Sequence, residues 1–521
     1  MSRLEFPAFG ESNFQKNVEN NACEVTVISE AGAESFSAYC CLLEKNGFEK
    51  KESRVVCGHL FAAYYDGESA VYLNYFSAVR ELYLVTEDNG KYFSYSDTAL
   101  DAKVEPQITQ MHIEDFGMSY VIRLTDGRFI VIDGGRNFDV DREKLYRHLQ
   151  ASTSCEKPVI AAWFLTHPHS DHFHLFVGFA QSHGDKVKVE KVFFNFPERD
   201  DARFPALGRA DPRFDYDNSG FVWISKMLDA VEKLGARIYT PHTGQTYKIG
   251  GAVCEILATM DDTLHTSRDI NATSVVMRME LAGQTVLWSA DGAYSAAKLP
   301  EKYGEYLKSD ILQVPHHGFQ SGDWEAEIAG FKLIRPEICF LPVSDYNAYT
   351  AFSAHKNGAR YLMTQADVSE MITDGTHTIT LPYTPPASAK AELARKYGTG
   401  QEACGARTWI FTGLNTSNPE DFEFTFFNAT HVRPVVWIEL LFEDPSKKIR
   451  GIKAEIPSTA IKTLSIIDDK VDTDAHYFDY LSLKKQGIPE NAPFAVRFIS
   501  DTPIVVSHKT HKPAHMSAGC F

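Results

Sequence analysis

Four side chains able to bind a metal ion crowd into six residues of this chain: His167, His169, Asp171 and His172, in the run Thr166-His167-Pro168-His169-Ser170-Asp171-His172. Imidazole and carboxylate suit a borderline ion such as Zn²⁺. Packed this tightly on one short loop, they cannot all reach a single tetrahedral ion. Two ions side by side resolve the crowding, with His167 and His169 on one and Asp171 and His172 on the other. Water on such an ion loses its proton near neutral pH and becomes a nucleophile, so the chemistry in view is hydrolysis.

Other residues of the right type lie far along the chain. Asp291 opens the turn Ala290-Asp291-Gly292, and one carboxylate can bridge two ions. Pro315-His316-His317-Gly318 supplies imidazole at the end of another apolar run, and two adjacent histidines before a glycine are rarely a core feature. In Asp133-Gly134-Gly135, the carboxylate could orient a metal-binding histidine from behind. His242, in the turn His242-Thr243-Gly244, is a weaker candidate, and His59, inside an apolar strand, reads as structural.

Strands must bring these residues together. Ile160–Leu165 is an apolar run that reads as a buried strand leading into the histidine cluster. Ser119–Leu124 and Arg128–Ile132 flank Thr125-Asp126-Gly127 as a hairpin, and the second strand delivers Asp133. Glu143–Gln150 reads as a helix, and strand-helix-strand order is an α/β layout. Beyond the cluster, Val187–Phe194, Ala236–Tyr239, Val253–Leu257, Val275–Leu281, Thr285–Ser289 and Asp310–Val314 read as strands and Gly220–Leu234 as a helix. Upstream, residues 1–22 read as an irregular polar lead-in, followed by a strand at Glu24–Ser29 and a helix at Ala33–Asn46 ending at Gly47. Ser53–Tyr65, Ala70–Phe76 and Arg80–Thr86 follow as strands, making residues 1–105 a small α+β domain.

At 521 residues the chain is too long for one core. Its 44% hydrophobic and 23% charged content is ordinary for a globular protein. There is no apolar run long enough to span a membrane and no secretion-signal pattern at the N-terminus. The nine cysteines are scattered and form no zinc-ribbon or disulfide framework, so a reducing cytoplasm is the expected setting. A net charge of −17 opposes non-specific binding to nucleic acid or anionic lipid.

Taken in order, Asp133-Gly134-Gly135, the His-x-His-x-Asp-His run at 167–172, Asp291-Gly292 and Pro315-His316-His317-Gly318 resemble the metallo-β-lactamase fold superfamily. With Asn271-x-x-Ser274, Arg335-Pro336-Glu337 and a closing strand around Thr376–Leu381, they look like the branch containing the hydrolase domain of the bacterial DNA-uptake channel and a surface phosphorylcholine esterase. The resemblance covers about 106–385. It implies an α/β fold, a four-layer αβ/βα sandwich with metals at the sheet edges. It also implies His167 and His169 on a first ion, Asp171, His172 and His317 on a second, and Asp291 bridging. His316 would sit beside the site as a substrate-facing or acid group, and the roles of His316 and His317 could be exchanged. Asp133 and Asn271 would support the ligands from behind. Many members place a third histidine on the first ion where this chain has Asn271, with His265 nearby, which leaves that ligand set incomplete.

Residues 386–405 read as a linker with a short helical piece, and 406–521 as a β-sandwich. Its strand candidates are Thr408–Phe411, Asp421–Phe427, Val435–Phe442, Lys453–Ile456, Thr463–Ile466, Phe494–Ser500 and Ile504–His508. The segment from Ile488-Pro489 to Val506, and Thr408-Trp409, resemble the small proteins typified by the sensory-rhodopsin transducer. This resemblance implies a binding or assembly module and a homo-oligomer. His508, His511 and His515 read as a mobile tail. The functional expectation is a metal-dependent hydrolase with two Zn²⁺ per chain, Mn²⁺ or iron being the alternatives. Metal-bound hydroxide would attack a small phosphodiester or related ester. The alternatives are a non-hydrolytic metal-containing binding protein and a diiron redox protein of the same fold; the diiron relatives usually carry a carboxylate where this chain has His169.

Overall fold

The structure, a computed structural model, describes residues 11–508 apart from 19–20, 89, 91–92, 98–99, 101–102, 115–116, 154, 199–200, 210–218, 320–323, 344–365, 374, 398–405, 429–433, 448, 457–459, 468–471, 474–482 and 484–486. His511 and His515 therefore lie outside the described residues. The chain divides into two compact units, residues 1–389 and 390–521.

Two sheets face each other at the centre of the first unit. One carries, side by side, Arg237–Tyr239, Lys191–Phe193, Val159–Phe164, Phe129–Asp133, Ser119–Arg123, Gln107–Gln110 and His377–Thr380. The other carries Glu370–Ile372, Ile338–Phe340, Ile311–Gln313, Gln284–Trp288, Val276–Leu281, Ala252–Ala258, Thr246–Ile249 and Tyr95–Ser96. Side chains alternate across each strand. Ile130, Ile132 and Phe164 from the first sheet thus share a core with Ile256, Met277 and Trp288 from the second. The outward face of the first sheet takes helices: Trp163 packs edge-on against Phe176 and Phe179 of the helix Ser170–His183. On the other side, Tyr294 meets Phe331 of the helix Trp324–Ile334. The result is a mixed α/β sandwich of helix, sheet, sheet and helix, with further β structure at both ends of the chain.

The parallel pairs put the chemistry at one edge. Phe129–Asp133 runs parallel to Val159–Phe164, and Gln284–Trp288 parallel to Ile311–Gln313. Their C-terminal ends carry Asp133, the histidine cluster, Asp291 and His316-His317. The strand around Thr376–Leu381 forms as His377–Thr380, antiparallel to Gln107–Gln110 in the first sheet. The helix Ser170–His183 lies in a stretch the sequence reading left without an element. Its apolar residues, Phe173, Phe176, Val177 and Ala180, follow helical spacing, but the metal-ligand pattern at its start masks it.

The N-terminal sheet is antiparallel, in the order Glu11–Val18, Asn21–Ile28, Glu81–Asp88, Ser69–Phe76, His59–Tyr65 and Glu49–Val56. The helix Ala33–Lys45 buries Phe36, Tyr39, Cys40 and Leu43 against it. Residues 11–18 are not irregular: they pair in register with Asn21–Ile28, since an edge strand takes its order from backbone pairing and needs no apolar face. Ser53–Tyr65 is not one strand, because Cys57 and Gly58 both adopt positive φ (43° and 85°) and turn the chain into a hairpin.

In the second unit, Ala406–Asn415, Glu423–Asn428, Val435–Phe442, Ile449–Glu455, Ala460–Ser465 and Pro493–His508 form the β fold around Phe411, Ile438 and Val496. The expected pair Phe494–Ser500 and Ile504–His508 is one long strand. Its first part pairs with Val435–Phe442 and its last part with Glu423–Asn428, so one strand links the two ends of the fold.

Candidate metal centre

Asp133 organises the site from below. It closes its strand at a φ of +56°, a conformation that short polar side chains tolerate better than most. Its Oδ1 accepts from the Thr166 backbone N–H at 2.8 Å. Its Oδ2 accepts from Thr166 Oγ1 at 2.8 Å and lies 2.7 Å from His172 Nδ1. Trp163 Nε1 donates to the Asp133 carbonyl at 2.9 Å, tying this turn to the neighbouring strand. A carboxylate on Nδ1 fixes the proton there and turns the Nε2 lone pair forward.

His172 Nε2 lies 3.2 Å from Asp291 Oδ2, buried and without hydrogen-bond geometry. The same Oδ2 is 3.6 Å from His167 Nε2, while Asp291 Oδ1 is 3.7 Å from His317 Nε2. His317 Nε2 is in turn 3.4 Å from Asp171 Oδ2. Two groups result, each with one ligand atom per residue and all atoms within 4.8 Å: His167, His172 and Asp291, and Asp171, His172 and His317. His169 joins through His167, whose Nε2 is 3.0 Å from His169 Nδ1. The sequence reading gives His172 to the second ion; in the structure the residue falls in both groups, its ring held from behind by Asp133.

Charge fits a cation. Burial pulls His167 and His169 below the ordinary imidazole range. Burial pushes Asp171 and Asp291 up, but the neighbouring histidines outweigh it and hold both carboxyls well below the usual range. Burial pulls His172 down too, yet Asp291 and Asp133 outweigh it and raise it. Ionised carboxylates beside neutral imidazoles are the state in which these groups bind metal, and a cation would displace the proton the two acids hold on His172. The donor set of imidazole nitrogens and carboxylate oxygens, with the buried His172 Nε2 aimed into it, suits zinc or another first-row ion.

The remaining candidates sort by position. His316 and His317 adopt φ of 49° and 52°, an uncommon conformation for histidine that turns the rings to different surroundings. His317 is fully buried among the candidate ligands; His316 is half-buried, its Nε2 3.4 Å from Asn271 Nδ2. Asn271 is thus brought to His316. His265 instead sets its ring edge-on to Tyr83 of the N-terminal sheet, 5.6 Å away, outside both ligand groups. His242 is also outside them, held between Asp261 (2.7 Å) and Glu87 (3.2 Å). His59 is buried, with Nε2 2.5 Å from the Lys302 carbonyl. Sequence reasoning assigns no role to Thr166, whose N–H and hydroxyl both donate to Asp133; the available signal is a hydroxyl residue directly before the cluster.

Residues 112–248 match the family model of the metallo-beta-lactamase superfamily. Asp291 and His317 lie beyond the matched residues, and their place in the site rests on geometry. No curated protein matches the chain. Among solved structures, CmlA, a diiron beta-hydroxylase from Streptomyces venezuelae, is similar at 11% identity over 53% of this chain and 54% of that one, TM-score 0.33. The Anabaena sensory rhodopsin transducer is similar at 21% identity over 21% of this chain and 86% of that one, TM-score 0.16. Thermotoga maritima 1070 is similar at 23% identity over 21% and 89%, TM-score 0.14. No helix among the described residues is long and apolar enough to cross a membrane.

Proposed function

We propose that the chain is a metal-dependent hydrolase, with a dinuclear zinc centre, acting on a phosphodiester or related ester. The observation that carries this reading is the carboxylate of Asp291, which presents Oδ2 to His167 and His172 and Oδ1 to His317. One acid facing two nitrogen groups is the arrangement a bridging ligand needs. Bound cations would supply Lewis acidity toward the scissile oxygen and lower the pKa of a bound water to near neutrality. Asp171, at the more open end of the cluster, is placed to orient the attacking water. His316 stands at the rim with Asn271 behind it and is the group positioned to hand a proton to the leaving oxygen. The C-terminal β-sandwich is proposed as a binding or assembly module, and size-exclusion chromatography with light scattering of the full chain tests for a homo-oligomer.

The test is turnover of nitrophenyl phosphodiesters, phosphomonoesters and lactones by zinc-loaded and chelator-stripped protein. Stripping is expected to abolish hydrolysis and zinc to restore it, and His169→Ala or Asp291→Ala to lower kcat by at least 100-fold. Hydrolysis that survives the chelator contradicts the proposal. Full metal occupancy with no turnover on the whole panel favours a binding protein, and iron with a visible absorption band favours redox chemistry.

A further inference from the structure

Gln313 is the last residue of the strand Ile311–Gln313 and is 2% exposed. Its carboxamide does not face solvent or a substrate space. Oε1 accepts from the backbone N–H groups of Ser289 (3.0 Å) and Ala290 (2.6 Å). Nε2 donates to the carbonyls of Val314 (2.6 Å) and Ala290 (3.1 Å) and lies 3.3 Å from Met118 Sδ. These partners sit on the segments that carry the bridging acid Asp291 and the second-ion ligands His317 and Asp171. Ala290 precedes Asp291, Val314 leads into Pro315-His316-His317, and the Met118 N–H donates to the Asp171 carbonyl at 3.1 Å.

The turns held this way do not rest in common conformations. Ala290, His316 and His317 have φ of 50°, 49° and 52°, left-handed values that cost a residue with a Cβ energy unless its surroundings hold it. His316 N–H donates to the Ala290 carbonyl at 2.9 Å, so the turns bearing Asp291 and His317 are already stitched once, and Gln313 adds the other links. Gly117, next to Met118, has no room for a side chain: a Cβ there would lie 2.7 Å from the Asp171 carbonyl, which brings that backbone close to the first turn of the ligand helix. An apolar residue at 313 would leave the Ser289 and Ala290 N–H groups without this buried acceptor.

We propose that Gln313 is a positioning residue that sets the spacing of Asp171, Asp291 and His317, and so governs the affinity of the second ion more than that of the first. This rests on the reading of the cluster as a two-metal centre. Its linkages bypass His167 and His169, whose loop is held by Asp133 and Thr166 instead.

The experiment is a Co²⁺ titration of the chelator-stripped full-length protein, following the visible ligand-field bands, on wild type, Gln313→Met and Gln313→Glu. His317→Ala marks which equivalent belongs to the second ion. Methionine keeps the volume and removes the hydrogen bonds; glutamate keeps an acceptor and remains a polar alternative if methionine does not fold. Circular dichroism confirms the fold of each. The expected result is a loss of tenfold or more in affinity for the second equivalent, with an altered band, while the first changes less than threefold. A role confined to packing would shift the melting temperature and leave both equivalents alike. Two wild-type-like equivalents in the variants, or equal weakening of both, overturns the role of Gln313 alone. A wild type that takes up no Co²⁺ overturns the two-metal reading itself.

Discussion

Asp133→Asn isolates the carboxylate beneath the proposed metal site with almost no change in shape. Asp133 offers its oxygens to three donors: Thr166 N–H, Thr166 Oγ1 and His172 Nδ1. A carboxamide has one oxygen to offer. If that oxygen keeps the Thr166 N–H, its NH₂ faces His172 Nδ1, and the imidazole must move its proton to Nε2. Nε2 is the atom 3.2 Å from Asp291 Oδ2, and with a proton on it the nitrogen cannot ligate. If the amide flips, NH₂ opposes a buried backbone N–H, at a cost of about 1–3 kcal/mol. Losing a hydrogen bond to a charged acceptor costs about 1.5–3 kcal/mol. At about 1.4 kcal/mol per factor of ten, zinc affinity should fall about 10- to 100-fold. Competition against a chromophoric chelator measures this, with circular dichroism to confirm the fold. Unchanged zinc affinity in a folded Asp133→Asn protein would refute the reasoning, because His172 would then not need its carboxylate to present Nε2.

Two further outcomes concern the contact between the N-terminal sheet and the sandwich. Burial pulls the pKa of His242 down, but Asp261 and Glu87 outweigh it and lift the value from 6.5 to about 9. A folded value above the unfolded one means the stabilisation is complete below about pH 6.5 and lost as pH rises through about 9, a contribution of about 3 kcal/mol. Urea unfolding at pH 6.5 and 9.5 should show that loss in the wild type and a flatter profile in His242→Gln; the same slope in both would contradict it. Lys302 Nζ sits 2.9 Å from Asp262 and over the rings of Phe76 and Tyr83, all buried. Lys302→Met leaves Asp262 as an uncompensated buried charge and should cost about 3–5 kcal/mol, read as a lower urea midpoint; no change would mean the pair carries no stability.

The candidate ligands are legible because metal binding restricts residue type and because strand ends announce themselves. An apolar run followed by a His-rich turn locates 160–172, and glycine after an acid locates Asp133 and Asp291. The spacing of Pro315-His316-His317-Gly318 points to the site, but not which ring enters it; backbone torsion at two successive left-handed residues sets that. Gln313 was not legible, since a glutamine closing a short apolar strand looks like any strand end until its amide is seen between two turns. The strand at Glu11–Val18 is not legible for a related reason: pairing with a neighbour, not its own pattern, creates it. Nor does a one-dimensional reading show that Glu87 and His242 meet, 155 residues apart.

Metal content of the full-length protein tests the centre most directly. After removal of adventitious metal and reconstitution with zinc, elemental analysis of wild type and Asp291→Asn should give two equivalents per chain in the first and a clear deficit in the second. A wild type that retains no cation, or an Asp291→Asn protein that keeps both at full affinity, would contradict the two-metal centre.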